Sequence, residues 1–105
     1  MLDLSVYKKK YFEVKINDSN VINLEFPTKK QLKTMLTLTK NINNGEITDK
    51  SLDDLYSAAH TAFNKNKERK SFSMEFIEEN LNIKALYAFF EEYYTWVNDN
   101  MNQKN

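Results

Sequence analysis

The chain has 105 residues, a length typical of one domain and sufficient for a hydrophobic core. Its 15 basic and 15 acidic residues cancel, and the absence of cysteine excludes disulfides, iron–sulfur clusters and thiolate zinc sites. No window approaches the ~20 apolar residues of a membrane-spanning helix, and the N-terminus lacks the charge order of a signal peptide. We therefore expect one domain over residues 1–105, in the cytoplasm and without membrane contact.

Residues 1–26 predict an antiparallel β-hairpin, because two runs of alternating apolar residues flank the turn residues Asn17–Asn20. Both apolar rows share one face only if opposed residue numbers sum to an even value. Ile16 opposite Ile22 satisfies this condition, and so does Ile16 opposite Asn20. The apolar residues of the two runs are Phe12, Val14, Ile16, Ile22, Leu24 and Phe26. A third strand is an alternative, since three further residues alternate: Leu2, Leu4 and Val6.

Residues 28–101 predict about four helices. Thr28 and Gln31 form a capping box at the start of the first helix, and Gly45 is a natural end. Its apolar face comprises Leu32, Met35, Leu36, Thr39 and Ile42. The fold class is therefore α+β and mostly helical, with a frayed tail over residues 102–105.

The second helix is predicted to begin near Thr48 or Ser51 and to end in a basic run, Lys65–Lys70. Its buried face comprises Leu52, Leu55, Tyr56, Ala59 and Phe63. Ser73 caps a short third helix, for which Phe72 and Ile77 form a hydrophobic staple.

The last helix, from Ile83 to Met101, carries two adjacent apolar stripes. One stripe suffices for the core and comprises Ile83, Leu86, Tyr87, Phe90, Tyr94, Val97 and Met101. The second comprises Ala85, Phe89, Tyr93 and Trp96. Two interpretations follow: a central helix packed on both sides, or a partly exposed contact surface of Phe89, Tyr93 and Trp96 that binds a partner or a second copy.

Catalysis has little support in the residue pattern. Asp53, Ser57 and His60 lie at helical spacing, but no tight turn nearby offers the backbone N–H groups of an oxyanion site. We interpret His60 as a solvated boundary residue and expect no enzyme. Adjacent carboxylates on a helix point apart and do not share a site, which applies to Glu78–Glu79 and Glu91–Glu92.

Asn44–Ile47 imitates the middle of a calcium-binding loop. Aligning Gly45 with the glycine of that loop places Lys40, Ile42 and Ser51 at ligand positions that the motif fills with acidic or amide residues. We therefore expect no metal and no organic cofactor.

Nucleic-acid binding is the second function class. Residues 1–45 carry eight lysines against four acids, whereas residues 71–105 carry six acids against two lysines. Zero net charge, an acidic last helix and the lack of a binding motif argue against nucleic acid. The basic clusters are Lys8–Lys10, Lys29, Lys30, Lys33, Lys65, Lys67, Arg69 and Lys70.

The order of segments resembles the tail assembly chaperones of long-tailed bacteriophages and prophages of low-GC Gram-positive bacteria. A hairpin ends in Phe26-Pro27-Thr28, and helices follow. The layout is completed by three further segments in this order: Phe63–Lys67, Phe72–Leu81 and an aromatic-rich helix. The resemblance implies a non-catalytic cytoplasmic protein that binds the tape measure protein and helps recruit tail tube subunits. The candidate protein-binding residues are Phe89, Tyr93, Trp96, Lys65, Lys67, Arg69 and Lys70. A small phage-derived nucleic-acid-binding or regulatory protein is the alternative.

Overall fold

The computed structural model describes residues 1–4, 11–43 and 47–101. Within these residues two antiparallel strands precede four helices, which confirms the predicted α+β class. The elements are β1 (Phe12–Asn17), β2 (Asn20–Leu24), α1 (Lys29–Asn43), α2 (Asp49–Phe63), α3 (Met74–Asn80) and α4 (Ile83–Met101). Gly45, the calcium-loop imitation around it, the lysines of residues 8–10 and the tail 102–105 lie outside the described residues.

The hairpin adopts the second of the two predicted registers. Val14 pairs with Ile22, so opposed numbers sum to an even value along most of the ladder. The register then shifts between Lys15 and Asn17, and Asn17 pairs with Asn20. Asn17 Oδ1 accepts hydrogen bonds from the Ser19 backbone N–H and the Asn20 side chain, at 3.0 and 2.9 Å. This bulge closes a two-residue turn while both apolar rows keep one face.

The strand-like partner of the hairpin comes from a different segment than predicted. Leu2 and Leu4 are exposed and form no strand, and Val6 lies outside the described residues. On the outer edge of β2, the Glu25 N–H donates to the Lys65 carbonyl at 3.0 Å. The Lys67 N–H donates to the Asn23 carbonyl at 2.8 Å. Residues 65–67 therefore extend the sheet beside β2 and cover an edge that would otherwise be open.

The predicted helix starts are confirmed by their hydrogen bonds. Thr28 and Gln31 bond each other reciprocally, as do Thr48 and Ser51. Ser73 Oγ accepts the Phe76 N–H at 3.0 Å and caps α3. These side chains satisfy N–H groups that a helix cannot bond internally, which fixes where each helix begins.

The α1 face differs from the prediction at two described positions, Leu36 and Leu38. Met35 is buried, Leu32 and Leu38 pack against the core, and Thr39 shares a 2.7 Å hydrogen bond with the Tyr94 hydroxyl. Met35 lies at the centre of the buried face. Leu36 is exposed because it lies about 100° around the helix from Met35. The Ile42 side chain lies outside the described part of the chain.

Helix α4 is packed on both sides, so the exposed-surface interpretation is wrong for Phe89 and Tyr93, which are 9% and 2% exposed. The Phe12 ring of β1 contacts Phe89, Tyr93 and Trp96, with centroids 5.5–6.3 Å apart. Phe89 also meets Phe63 of α2 at 4.7 Å. Trp96 is half-buried in the same cluster. The hairpin supplies a second packing partner for α4, and this is why its apolar surface exceeds one stripe. Met101, predicted for the core stripe, is exposed at the end of α4.

Tyr93 links α4 to the segment after β2, because its hydroxyl donates to the Glu25 carbonyl at 2.7 Å. Burial raises the pKa of Tyr93 above its usual value, and the nearby Glu25 carboxylate adds to this shift. Burial also raises the pKa of Tyr94, to about 12. Both phenols are therefore held neutral in the folded state.

We predict that the protein loses stability as pH rises above about 10, the ordinary pKa of a tyrosine. The unfolded chain then releases protons that the folded chain retains, so the free energy of unfolding falls with pH. Tyr93→Phe should cost about 1–3 kcal/mol at neutral pH, because it removes the hydrogen bond to the Glu25 carbonyl, and should make the alkaline decline shallower. Urea unfolding at neutral pH and at about pH 11 measures both effects.

Tyr87→Phe is the control, since the Tyr87 hydroxyl makes no described hydrogen bond. Equal alkaline declines for wild type and Tyr93→Phe would contradict the prediction.

Candidate protein-binding groove

The groove lies between the first half of α1 and the last half of α2. Two alanines of α2, Ala58 and Ala62, are four residues apart and so face the same way. Their methyl groups leave a partly enclosed hollow of about 210 Å³. A larger side chain at either position would fill it.

The floor of this hollow is apolar and its rim is cationic. Met35, Ala58, Ala62 and the Tyr93 ring form the floor, and each is less than 9% exposed. Pro27, Gln31, Thr34 and Thr61 complete the walls, and the cations at the rim are Lys30 and Lys65. Among the described residues that line this hollow, none carries a carboxylate.

The hollow continues into an open, polar depression of about 670 Å³, and the two share Gln31, Thr61 and Lys65. Arg69 and Lys70 line the depression, so three of the four predicted basic residues converge there. His60 and Glu25 also line it, and Glu25 supplies the one carboxylate among these residues. The groove, defined as the hollow plus the depression, thus combines an apolar floor with a basic border.

Lys67, the fourth predicted basic residue, lies elsewhere. Its ammonium group sits 5.2 Å from the centre of the Tyr11 ring, beside the hairpin. Lys65 lines the groove, whereas the Lys67 side chain lies against the hairpin.

Two asparagines hold the loop that carries the basic residues. Asn64 and Phe72 exchange two hydrogen bonds, at 2.7 and 3.0 Å, which close the ends of the loop. Asn66 is buried; its Nδ2 donates to the Phe63 and Lys70 carbonyls, and its Oδ1 accepts the Lys70 N–H. This bracing fixes the backbone from which Lys65, Arg69 and Lys70 project.

Arg69 and Glu68 show how tightly the loop turns. Arg69 has φ of 58°, in the left-handed region that disfavours residues with a Cβ. Glu68 accepts hydrogen bonds from the side chain and backbone N–H of Asn23, at 2.8 and 2.9 Å, and these lower the pKa of its carboxyl group. The loop is thus tied to β2 on one side and to the C-terminal end of α2 on the other.

The candidate triad is not assembled. Asp53 and Ser57 are exposed, His60 is half-buried, and the described hydrogen bonds do not join their side chains to one another. Among residues 1–4, 11–43 and 47–101, no three His, Asp or Glu side chains group so as to hold a metal ion. Over the same residues, none of the helices has the length and apolar character to cross a membrane.

Comparison of the chain with protein-family models, curated proteins and solved structures gave no match. The function therefore has to be argued from the groove and from the residues that form it.

We predict that Asn66→Ala destabilises the protein by about 2–4 kcal/mol, because it leaves three backbone groups around the loop without partners. Asn80→Ala is the matched control. The Asn80 side chain also bonds a backbone carbonyl, that of Phe76 at 2.8 Å, but it is exposed and should matter by about 0.5 kcal/mol or less. Urea unfolding compares the two variants, and equal stabilities would show that the Asn66 network does not hold the loop.

Proposed function

We propose that this protein is a non-catalytic tail assembly chaperone that acts in the host bacterial cytoplasm. In this proposal it binds the tape measure protein and helps recruit tail tube subunits around it. The observation that carries the proposal is the groove between α1 and α2, in which an apolar floor is bordered by cations. This arrangement suits a protein ligand, because apolar contacts supply affinity and charges orient the partner.

The shape of the groove fits an apolar residue that projects from a helix. Its walls are two helices, and an amphipathic helix docks on such a surface by inserting residues spaced three or four apart. A tape measure protein is a long helical chain that exposes apolar stripes before it is sheathed. Covering such a stripe would keep that chain soluble until tube subunits arrive.

The residues proposed to bind differ from those that the sequence indicated. Phe89 contributes through the fold, since it lies beneath the hairpin, and Trp96 stacks on Phe26 at 4.6 Å. Tyr93 also lies beneath the hairpin, but its ring forms part of the groove floor. Lys65, Arg69 and Lys70 keep a direct role at the border of the groove. Met35, Ala62 and Lys30 join them, although the sequence had indicated Met35 only for the core and Lys30 only for a basic cluster.

Nucleic-acid binding remains the second candidate, and the convergence of Lys65, Arg69 and Lys70 favours it. A phosphate backbone would use these cations but would have no use for the apolar floor. The Tyr93 ring is also too buried to stack on a base. The apolar floor is the reason for preferring a protein ligand.

We predict that co-expression with this chain keeps the cognate tape measure protein soluble and that the two proteins co-purify. Ala62→Leu should reduce the co-purified amount about tenfold or more, because it fills the hollow that receives the partner. Ala88→Leu, which adds the same side chain at an exposed site on α4, should leave co-purification unchanged. Affinity capture followed by quantitative gel analysis measures both.

A tape measure protein that stays insoluble beside the wild-type chain would contradict the proposed function. Binding to DNA or RNA that declines steeply with salt would favour the second candidate instead.

A further inference from the structure

We infer that the groove recognises an acidic amphipathic helix in the partner: one large apolar side chain enters the hollow, and neighbouring carboxylates pair with the cations on its border. The inference rests on the proposed function only in taking the groove as the docking site of a protein partner. It adds the chemistry of the segment that binds.

The size of the hollow determines which apolar side chain of the partner, here called the anchor, can enter it. An apolar cavity of ~150 Å³ is large enough to hold benzene. The hollow, at about 210 Å³, is larger than that cavity. Leucine, methionine or phenylalanine therefore fits. The floor of Met35, Ala58, Ala62 and Tyr93 presents carbon atoms to the anchor, because the Tyr93 hydroxyl is already bonded to the Glu25 carbonyl.

The sign of the border charges selects the residues beside the anchor. Lys30 stands on α1 and Lys65 follows α2, so the described lining of the hollow has a cation on each wall and no carboxylate. Arg69 and Lys70 continue the positive charge along the depression, where Glu25 is the opposing group and His60 the remaining titratable side chain. Basic residues beside the anchor would meet like charges, so the border discriminates against them.

A helix delivers both features together. Residues three or four positions from the anchor lie on the same helical face, about one turn away. Glutamate or aspartate at those positions can reach Lys30 or Lys65 while the anchor occupies the hollow. A carboxylate one turn further along reaches towards Arg69 and Lys70.

The direct test uses full-length protein and fluorescent peptides of about 20 residues, long enough to form helices in water. The first peptide carries leucines along one face with glutamates beside them. A second replaces the glutamates with lysines, and a third replaces the leucines with serines. Fluorescence anisotropy should show binding of the first, with the other two at least about tenfold weaker at low salt. The advantage of the acidic peptide over the basic one should shrink as salt rises.

Two pairs of variants locate the binding. The double variant Lys30→Glu/Lys65→Glu should bind the acidic peptide about tenfold or more weakly than wild type. The double variant Lys40→Glu/Lys84→Glu changes the net charge equally and should have little effect on this affinity. Ala62→Leu should abolish binding, and Ala88→Leu should not. Thr34→Leu blocks the hollow from its α1 wall and replaces Ala62→Leu if that variant melts at a lower temperature than wild type.

Several results would overturn the inference. Equal binding of the acidic and basic peptides would remove the role of charge, and full binding by Thr34→Leu and Ala62→Leu would remove the hollow. Tighter binding of a single-stranded oligouridine than of the acidic peptide would assign the cations to nucleic acid. If sedimentation shows self-association of the wild type and the double variant Lys30→Glu/Lys65→Glu abolishes it, the groove is occupied by a second copy of the chain through its own acidic helices.

The inference and the proposed function fail separately. A tape measure protein that co-purifies while the acidic peptide does not bind would overturn the inference and leave the chaperone proposal standing. An acidic peptide that binds in the groove while the tape measure protein stays insoluble would do the reverse.

Discussion

The structure depends on the contact between the hairpin and α4. A two-stranded hairpin is marginal in water, so β1 and β2 need an apolar surface to cover. Phe89, Tyr93 and Trp96 provide that surface, and the Phe12 ring lies against all three. The Tyr93 hydroxyl then bonds the Glu25 carbonyl and fixes the chain as it leaves β2 for α1. The same Tyr93 ring forms part of the floor of the groove, so the packing that holds the hairpin also shapes the proposed binding surface.

The loop after α2 connects three parts of the molecule through its backbone. Residues 65–67 extend the sheet along β2, Asn64 closes the loop against Phe72, and Asn66 fills its interior. The carbonyl and N–H groups of an irregular segment cost free energy if they are buried without partners. Here two asparagine side chains satisfy them in place of a regular element. A rigid loop holds its cations at fixed positions, which reduces the entropy lost when a partner binds.

Local signals in the sequence predicted most of the fold. Capping side chains at Thr28, Thr48 and Ser73 specify helix starts through bonds to residues three positions away, and the parity of the hairpin register follows from alternation alone. Long-range packing was not predictable in the same way. Periodicity shows that α4 has two apolar stripes, but not that Phe12 covers the second. The sequence contains no motif that indicates the groove, because the groove forms where the small side chains of Ala58 and Ala62 lie opposite Met35. Alanines four residues apart on an apolar helix face were the one available signal, and they are equally typical of tight helix packing.

If the groove binds a partner as proposed, it does so without exposing a large apolar patch. Its floor residues are each less than 9% exposed, so little apolar surface meets water while the groove is empty. The lysines at the border can keep their ammonium groups in water while their methylene chains lie along the walls. An apolar anchor from a partner would complete the packing that the two alanines leave unfinished. Larger residues at those positions would complete the packing permanently, which would stabilise the fold but remove the hollow. The two alanines therefore connect the proposed function of the groove to incomplete local packing, at the place where α1, α2 and the Tyr93 ring meet.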